Sequence, residues 1–242
     1  MYIKPPYGSG AFVASGSPEK RWAFLRKVYS ILAIQMLLTV VVASTVVYVQ
    51  PVNLFVSTPG GLVLYISSLI LPIIVLCHLY FFYQSYPVNL FSLGAFIVTI
   101  SFAVGMTCSF TKGKLFIILE SVILTLFVFI ILALYTFCAE KYARKIKWMD
   151  GREQFLMAAV IILVVFSLIQ MYFPLGRHLL MICSGIASLI FCGYIIYDTD
   201  NLIWLYSKEE YVWAAVAPYV DIVNYFFSLL KLIRESLRGE TN

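Results

Sequence analysis

Seven apolar runs fill almost the whole of this 242-residue chain, at about 28–49, 61–82, 89–110, 115–138, 155–173, 178–202 and 212–233. Each is close to the roughly 20 residues that a helix needs to cross a bilayer. Hydrocarbon offers the backbone no water, so runs of this length are stable only as helices that close their amide bonds within the segment. The fold class that follows is an all-α membrane protein with seven transmembrane helices. Charged residues make up 12% of the chain, about half the usual share in a soluble domain. Almost every residue is needed for spans and short loops, which leaves no room for a soluble catalytic domain. The chain also holds no GxSxG, HExxH, Walker or EF-hand pattern, so it is read as a non-enzyme.

The runs divide the chain into a polar tail (1–27) that ends in the basic cluster KRWAFLRK, one seven-helix domain (28–234), and a short charged tail (235–242). Residues 20–27 are expected to lie as an amphipathic turn on the membrane surface, anchored by Trp22, Phe24 and Leu25. No apolar h-region precedes the first span, so that span is expected to act as the targeting signal. With the N-terminus inside, eleven of the 17 Lys and Arg residues fall on the inner side. That bias predicts a cytosolic N-terminus and, after seven spans, an outer C-terminus. The net charge of +5 comes mostly from clusters flanking the spans and is not a nucleic-acid signal. The five cysteines lie in or beside apolar runs with no CxxC pair, and are read as small buried hydrophobes.

Against this background Asp198, in GYIIYDTDNLI, and Asp221, in AAVAPYVDIVNYFF, stand out. An aspartate at a helix centre costs roughly 2.5–3.5 kcal/mol on insertion scales. The two acids are placed almost symmetrically about the polar turn YSKEEY, so a helical hairpin brings them to nearly equal depth. Like charges that close cannot both ionise cheaply. Such a pair holds a proton, or binds a cation when both are deprotonated. The blander readings are interfacial capping or snorkelling by Asp198, and a helix–helix hydrogen bond from a protonated Asp221. Asn224, Tyr225 and Ser228 follow Asp221 at helical spacing and give that helix one polar face. The stripe predicts a central helix lined by the others, with Asn224 and Ser228 lining a pathway. Pro218 removes an amide bond to the Ala214 carbonyl and predicts a kink. That kink is either purely structural or frees a carbonyl for a cation. Glu120 is a further intramembrane acid. It is a candidate for lining an exit path or pairing with Lys231, or else faces headgroups. His78 has no second ligand at metal spacing and reads as interfacial. Trp204, Trp213, Tyr197, Tyr206 and Tyr211 read as an aromatic belt.

Four stretches together resemble the transmembrane Bax-inhibitor-motif family, and within it the lifeguard branch, with wording closest to the plant proteins. They are RWAFLRKVYSILAIQMLLT, YPVNLFSLGAFIV with FAVGMTCSF, GYIIYDTDNLI, and EYVWAAVAPYVDIVNYFFSLLKLI. The resemblance covers almost all of residues 20–234. It implies six helices around a central seventh, calcium leak across the endoplasmic reticulum or another endomembrane (Golgi or vacuole), and suppression of cell death. It also implies that Asp198 and Asp221 form a pH sensor, with calcium as a permeant or transiently bound ion and no tightly bound cofactor. Some bacterial relatives latch the first aspartate with an arginine at the inner end of the second helix. Here that stretch, LCHLYFFYQSYPVN, has no Arg or Lys, so His78 or Gln84 would have to serve as a different lock. Pro218 stands where the family more often has a large aliphatic.

The expected partners are the bilayer, calcium ions, protons, and membrane or cell-death regulatory proteins. Three functions fit: a pH-gated calcium leak, a non-conducting scaffold working through its tail and the basic loop 139–154, and a proton-coupled calcium exchanger.

Overall fold

The computed structural model describes residues 18–56, 58–111, 115–142, 152–172, 176–204, 206 and 210–237. Among them the chain is helical, without strands. In order, the helices are α1 (Pro18–Tyr48), α2 (Gln50–Val56), α3 (Pro59–Phe82), α4 (Val88–Phe110), α5 (Leu115–Tyr142), α6 (Arg152–Tyr172), α7 (Arg177–Trp204), α8 (Tyr211–Ala214) and α9 (Val216–Leu237). Five stretches are long and apolar enough to cross a membrane: Trp22–Tyr48, Pro59–Phe82, Val88–Phe110, Arg177–Thr199 and Tyr211–Leu237. Shorter apolar stretches, Leu115–Ile131 and Phe155–Gln170, lie inside α5 and α6. The protein is an all-α, multi-pass integral membrane protein. Large apolar side chains such as Ile34, Leu37, Val63, Ile123 and Ile162 are exposed along these helices, as expected of surfaces that face lipid.

The chain forms two compact units. One comprises Ser15–Lys114 and Tyr206–Tyr219. Within it α1 packs along α4, and α4 along α3. The α1–α4 approach depends on Gly105: a Cβ there would stand 2.8 Å from the Val46 Cβ and 3.0 Å from the Ala43 Cα. Small residues let membrane helices come this close, where packing rather than hydrophobic exclusion drives association. Beside this contact Val46 and Met106 are buried against Tyr65 and Phe102. At the start of α3, Thr58 accepts a hydrogen bond from the Gly61 amide at 3.2 Å, with Pro59 in the first turn.

The other unit holds Leu115–Leu205 and Val220–Asn242. In it α7 packs against both α5 and α6. Its apolar nucleus is Leu156, Tyr194 and Tyr197, with Val160, Ile190 and Phe191 packed around them. Ser121, Thr125 and Ser184 each donate to the carbonyl four residues earlier. Such back-bonds let a hydroxyl sit in an apolar helix without an unmet donor.

Several expectations are corrected. The first helix begins at Pro18, so the basic cluster is continuous with the first span and is not a separate amphipathic turn. Phe24 and Leu25 are buried, at 3% and 1% exposure, and do not anchor at a lipid surface. Alternation with Val28 and Leu32 puts them on the packed face of α1. The segment QPVNLFV, read as loop, forms α2. Tyr197, Tyr206 and Trp213 are buried and so do not form an exposed aromatic belt. Trp213 packs against the rings of Tyr80 and Tyr83, and Tyr211 lies 4.9 Å from the Lys27 ammonium. The side chain of Trp204, residues 1–17 and most of the basic loop 139–154 lie outside the described residues. Cys108 is buried, but Cys77 is exposed on α3, where no packed neighbour replaces lipid.

Candidate functional site

The last two long helices position the acids from opposite directions. Asp198 sits six residues before the end of α7, and Asp221 five residues after the start of α9. The apolar run that carries Asp221 is not one straight helix. It closes as α8 at Ala214, turns at Ala215, and restarts at Val216. The Ala215 amide bonds back to the Val212 carbonyl at 3.3 Å. Pro218 is buried in the first turn of α9, where an amide hydrogen has no helical partner to lose. The restart places Asp221 in the second turn of α9.

The two carboxyls lie against each other, close enough for each to feel the other's charge. Two carboxyls this close share one proton more cheaply than they carry two negative charges. Asp198 is 7% exposed, while Asp221 is only half-buried. Asn201, one turn beyond Asp198, turns its side chain toward the Asp198 carboxyl. Its Nδ2 is buried and falls short of a full hydrogen bond. The sequence reading passed over Asn201, although its i+3 spacing from Asp198 was the available signal. The arrangement can hold a proton, release it, and offer carboxylate oxygens to a cation. A resident calcium centre takes 6–8 oxygen ligands. Among the described residues no group of three or more His, Cys, Asp or Glu is placed to hold a metal.

Toward the end of α9, Ser228 donates to the Asn224 carbonyl at 2.9 Å. Asn224 and Ser228 line a cavity of about 370 Å³ together with Gln170, Ser184 and Lys231. The expected pairing of Glu120 with Lys231 is not what forms. Lys231 donates to the Gln170 Oε1 at 3.1 Å, its side chain reaching from α9 to the last turn of α6. Glu120 is half-buried on α5, next to the buried Ser121. Of the two lock candidates, His78 Nδ1 lies 2.9 Å from the Ser92 hydroxyl with its ring against Phe82. Gln84 donates to the Tyr83 hydroxyl at 2.8 Å. Burial, and then the charge of Glu210, push the Tyr83 hydroxyl above its ordinary pKa.

The sequence reading also missed a hydroxyl cluster in the other unit. Thr39 on α1 meets the Tyr219 hydroxyl at 2.8 Å, and Ser101 on α4 reaches Thr39 at 3.1 Å. Thr39 and Ser101 also back-bond to the carbonyls of Gln35 and Ile97. Gln35 is fully buried, and neither its Nε2 nor its Oε1 has a partner. The signal was there, since Gln35 and Thr39 are one helical turn apart in an otherwise apolar run.

The comparisons with known proteins agree with one another. Residues 21–238 match the family model described as "Inhibitor of apoptosis-promoting Bax1". Protein LIFEGUARD 2 of Arabidopsis thaliana is 53% identical over 221 residues, covering 91% of this chain and 90% of that protein. Protein lifeguard 4 of Mus musculus is 35% identical over 231 residues, covering 96% and 92%. The Golgi anti-apoptotic protein of Vaccinia virus (strain Lister) is 33% identical over 234 residues, covering 97% and 94%. The match spans every described helix from α2 to α9 and both aspartates, so the chain belongs to the Bax-inhibitor family of anti-apoptotic membrane proteins, in its lifeguard branch.

Proposed function

We propose that this protein is a pH-sensitive, calcium-permeable leak channel of an endomembrane, and that through this leak it restrains programmed cell death. The observation that carries the reading is the close pair Asp198–Asp221 inside lipid-embedded helices. A carboxylate is expensive at that depth, and a shared proton lowers the cost at the expense of making the site titratable. Deprotonation leaves two oxyanions side by side, a favourable place for a divalent cation to shed part of its water. Proton occupancy and calcium occupancy then compete for the same oxygens, which is how pH reaches the ion path. Asn224 and Ser228 continue the polar face of α9 beyond the pair. The N-terminus is assigned to the cytosol from the distribution of basic residues. The name of the viral relative, Golgi anti-apoptotic protein, supports an internal membrane and a role in cell death.

The test is calcium flux from vesicles holding the purified protein, followed between about pH 5 and 8, where groups tuned near neutrality change charge. The wild type is expected to leak calcium with a pH-dependent rate, and Asp221→Asn to lose the pH dependence. Unchanged flux and an unchanged pH response in that variant would sink the channel assignment. The viral relative and the family description are named for an effect on apoptosis rather than for transport, which favours a second reading as a non-conducting scaffold. A double Asp198→Asn, Asp221→Asn chain that no longer leaks calcium but still protects cells would establish the scaffold instead.

A further inference from the structure

The groove between the ends of α6, α7 and α9 combines features that neither the acid pair nor a plain lipid-facing surface requires. Its volume is about 370 Å³, within the range of small-molecule sites. One end is polar: Lys231, Gln170, Ser184 and Ser228. Apart from Asn224, the remainder is mostly apolar, with Val160, Val164, Leu168, Ala187, Phe191 and Phe227 among its walls. Val164 and Leu168 are exposed, at 54% and 56%, so the groove is open along one side to the surrounding lipid.

The charge at the polar end is only partly compensated, since Lys231 and Arg234 share the single carboxylate of Glu235. The Lys231 ammonium bonds the neutral Gln170 amide. The nearest carboxylate on its own helix, Glu235, is already engaged by Arg234 at 3.1 Å. A half-buried ammonium that bonds a neutral amide and stands beside a second cation attracts an anion. Lys231 lies six residues before the end of α9, and Gln170 two before the end of α6. This is the depth at which headgroups begin and where long basic side chains reach for them. Basic pockets between membrane helices bind anionic headgroups by this combination of charge and apolar wall.

We propose that this groove is a binding site for one anionic phospholipid, its phosphate on Lys231 and one acyl chain laid along α6 and α7 toward Phe191. The open side decides for a phospholipid over a free fatty acid, because it lets the second chain remain in the bilayer. The buried chain would end beside Asn224, one helical turn from Asp221, so an occupied groove stiffens the stretch of α9 that presents the acid.

Native mass spectrometry of the full chain, delipidated and then mixed with phosphatidylglycerol or phosphatidylcholine, reads the site without relying on ion flux. The wild type is expected to retain phosphatidylglycerol roughly fivefold better, the ratio equivalent to about 1 kcal/mol for one basic residue at a lipid surface. Lys231→Gln should abolish that preference, and Lys231→Arg should keep it. Ala187→Phe, which fills the groove without touching the ammonium, should lower retention as much as Lys231→Gln. Equal retention by Lys231→Gln would overturn the proposal, and so would full retention by Ala187→Phe. Displacement of the lipid by inorganic phosphate or by oleate at matching concentration would likewise refute a phospholipid site.

Discussion

Two polar stations lie two residues apart on α9, and they solve the same problem differently. At Tyr219 the polar atoms are neutral hydroxyls. Thr39 and Ser101 bond carbonyls of their own helices and then link to each other and to Tyr219. At Asp221 the polar atoms are two carboxyls that act on each other's charge. A hydroxyl cluster keeps its charge across the physiological pH range, whereas a carboxyl pair must gain or lose a proton to change partners. The first station therefore fastens helices together, and the second can act as a switch. The largest test of this contrast is the pH response of calcium flux. Asp198→Asn or Asp221→Asn should flatten a wild-type rate change of about tenfold or more, equivalent to 1.4 kcal/mol of coupling, to less than about twofold. Tyr219→Phe should leave the pH response intact. A flattened response in Tyr219→Phe would break the division of labour, because it would make the hydroxyl cluster part of the switch.

The next largest effect concerns packing around the hydroxyl cluster. Gly105→Leu forces a side chain into Val46 and the Ala43 backbone, where α1 and α4 have no slack. Overpacking of this kind costs about 1–3 kcal/mol, seen as a lower thermal midpoint in detergent. Gly94 and Gly185 have open space around them, so alanine there should be neutral or slightly stabilising through helix propensity. An unchanged midpoint in Gly105→Leu would mean that α1 and α4 separate without loss, and that the hydroxyl station does not depend on their close approach.

Spans were legible because apolar length alone specifies them. The acid pair was legible because two charges in greasy helices have few explanations, and the turn between them sets their relative depth. The hydroxyl cluster was not read, since Thr39, Ser101 and Tyr219 are individually unremarkable in membrane helices and back-bonding hides their cost. Only their convergence makes them a site, and convergence depends on which helix faces meet. The same reason explains Lys231: the sequence offered Glu120 as a charged partner, while the helix ends supplied the uncharged Gln170. Phe24, Leu25, Tyr197 and Trp213 misled in the opposite direction. Aromatic and apolar residues near a span end suggest an interface, yet here they face protein, and one-dimensional depth does not distinguish the two.

Smaller effects separate the members of the hydroxyl cluster. Tyr219→Phe removes one hydroxyl and leaves the Thr39–Ser101 link, so it should cost about 0.5–1.5 kcal/mol, the net worth of one hydrogen bond. Gln35 should respond with the opposite sign. Its side-chain amide is fully buried with both polar atoms unpartnered, while its backbone carbonyl serves Thr39 whatever side chain is present. Replacing an unsatisfied buried polar group by an apolar one of similar shape is nearly neutral or stabilising. Gln35→Leu is therefore expected to raise the thermal midpoint slightly, by at most about 1 kcal/mol in stability. If Gln35→Leu instead lowers the midpoint more than Tyr219→Phe does, the amide holds an ordered water and is the anchor of the cluster. The α9 station at Tyr219 would then be hydrated, and the contrast with the carboxyl pair would rest on charge alone.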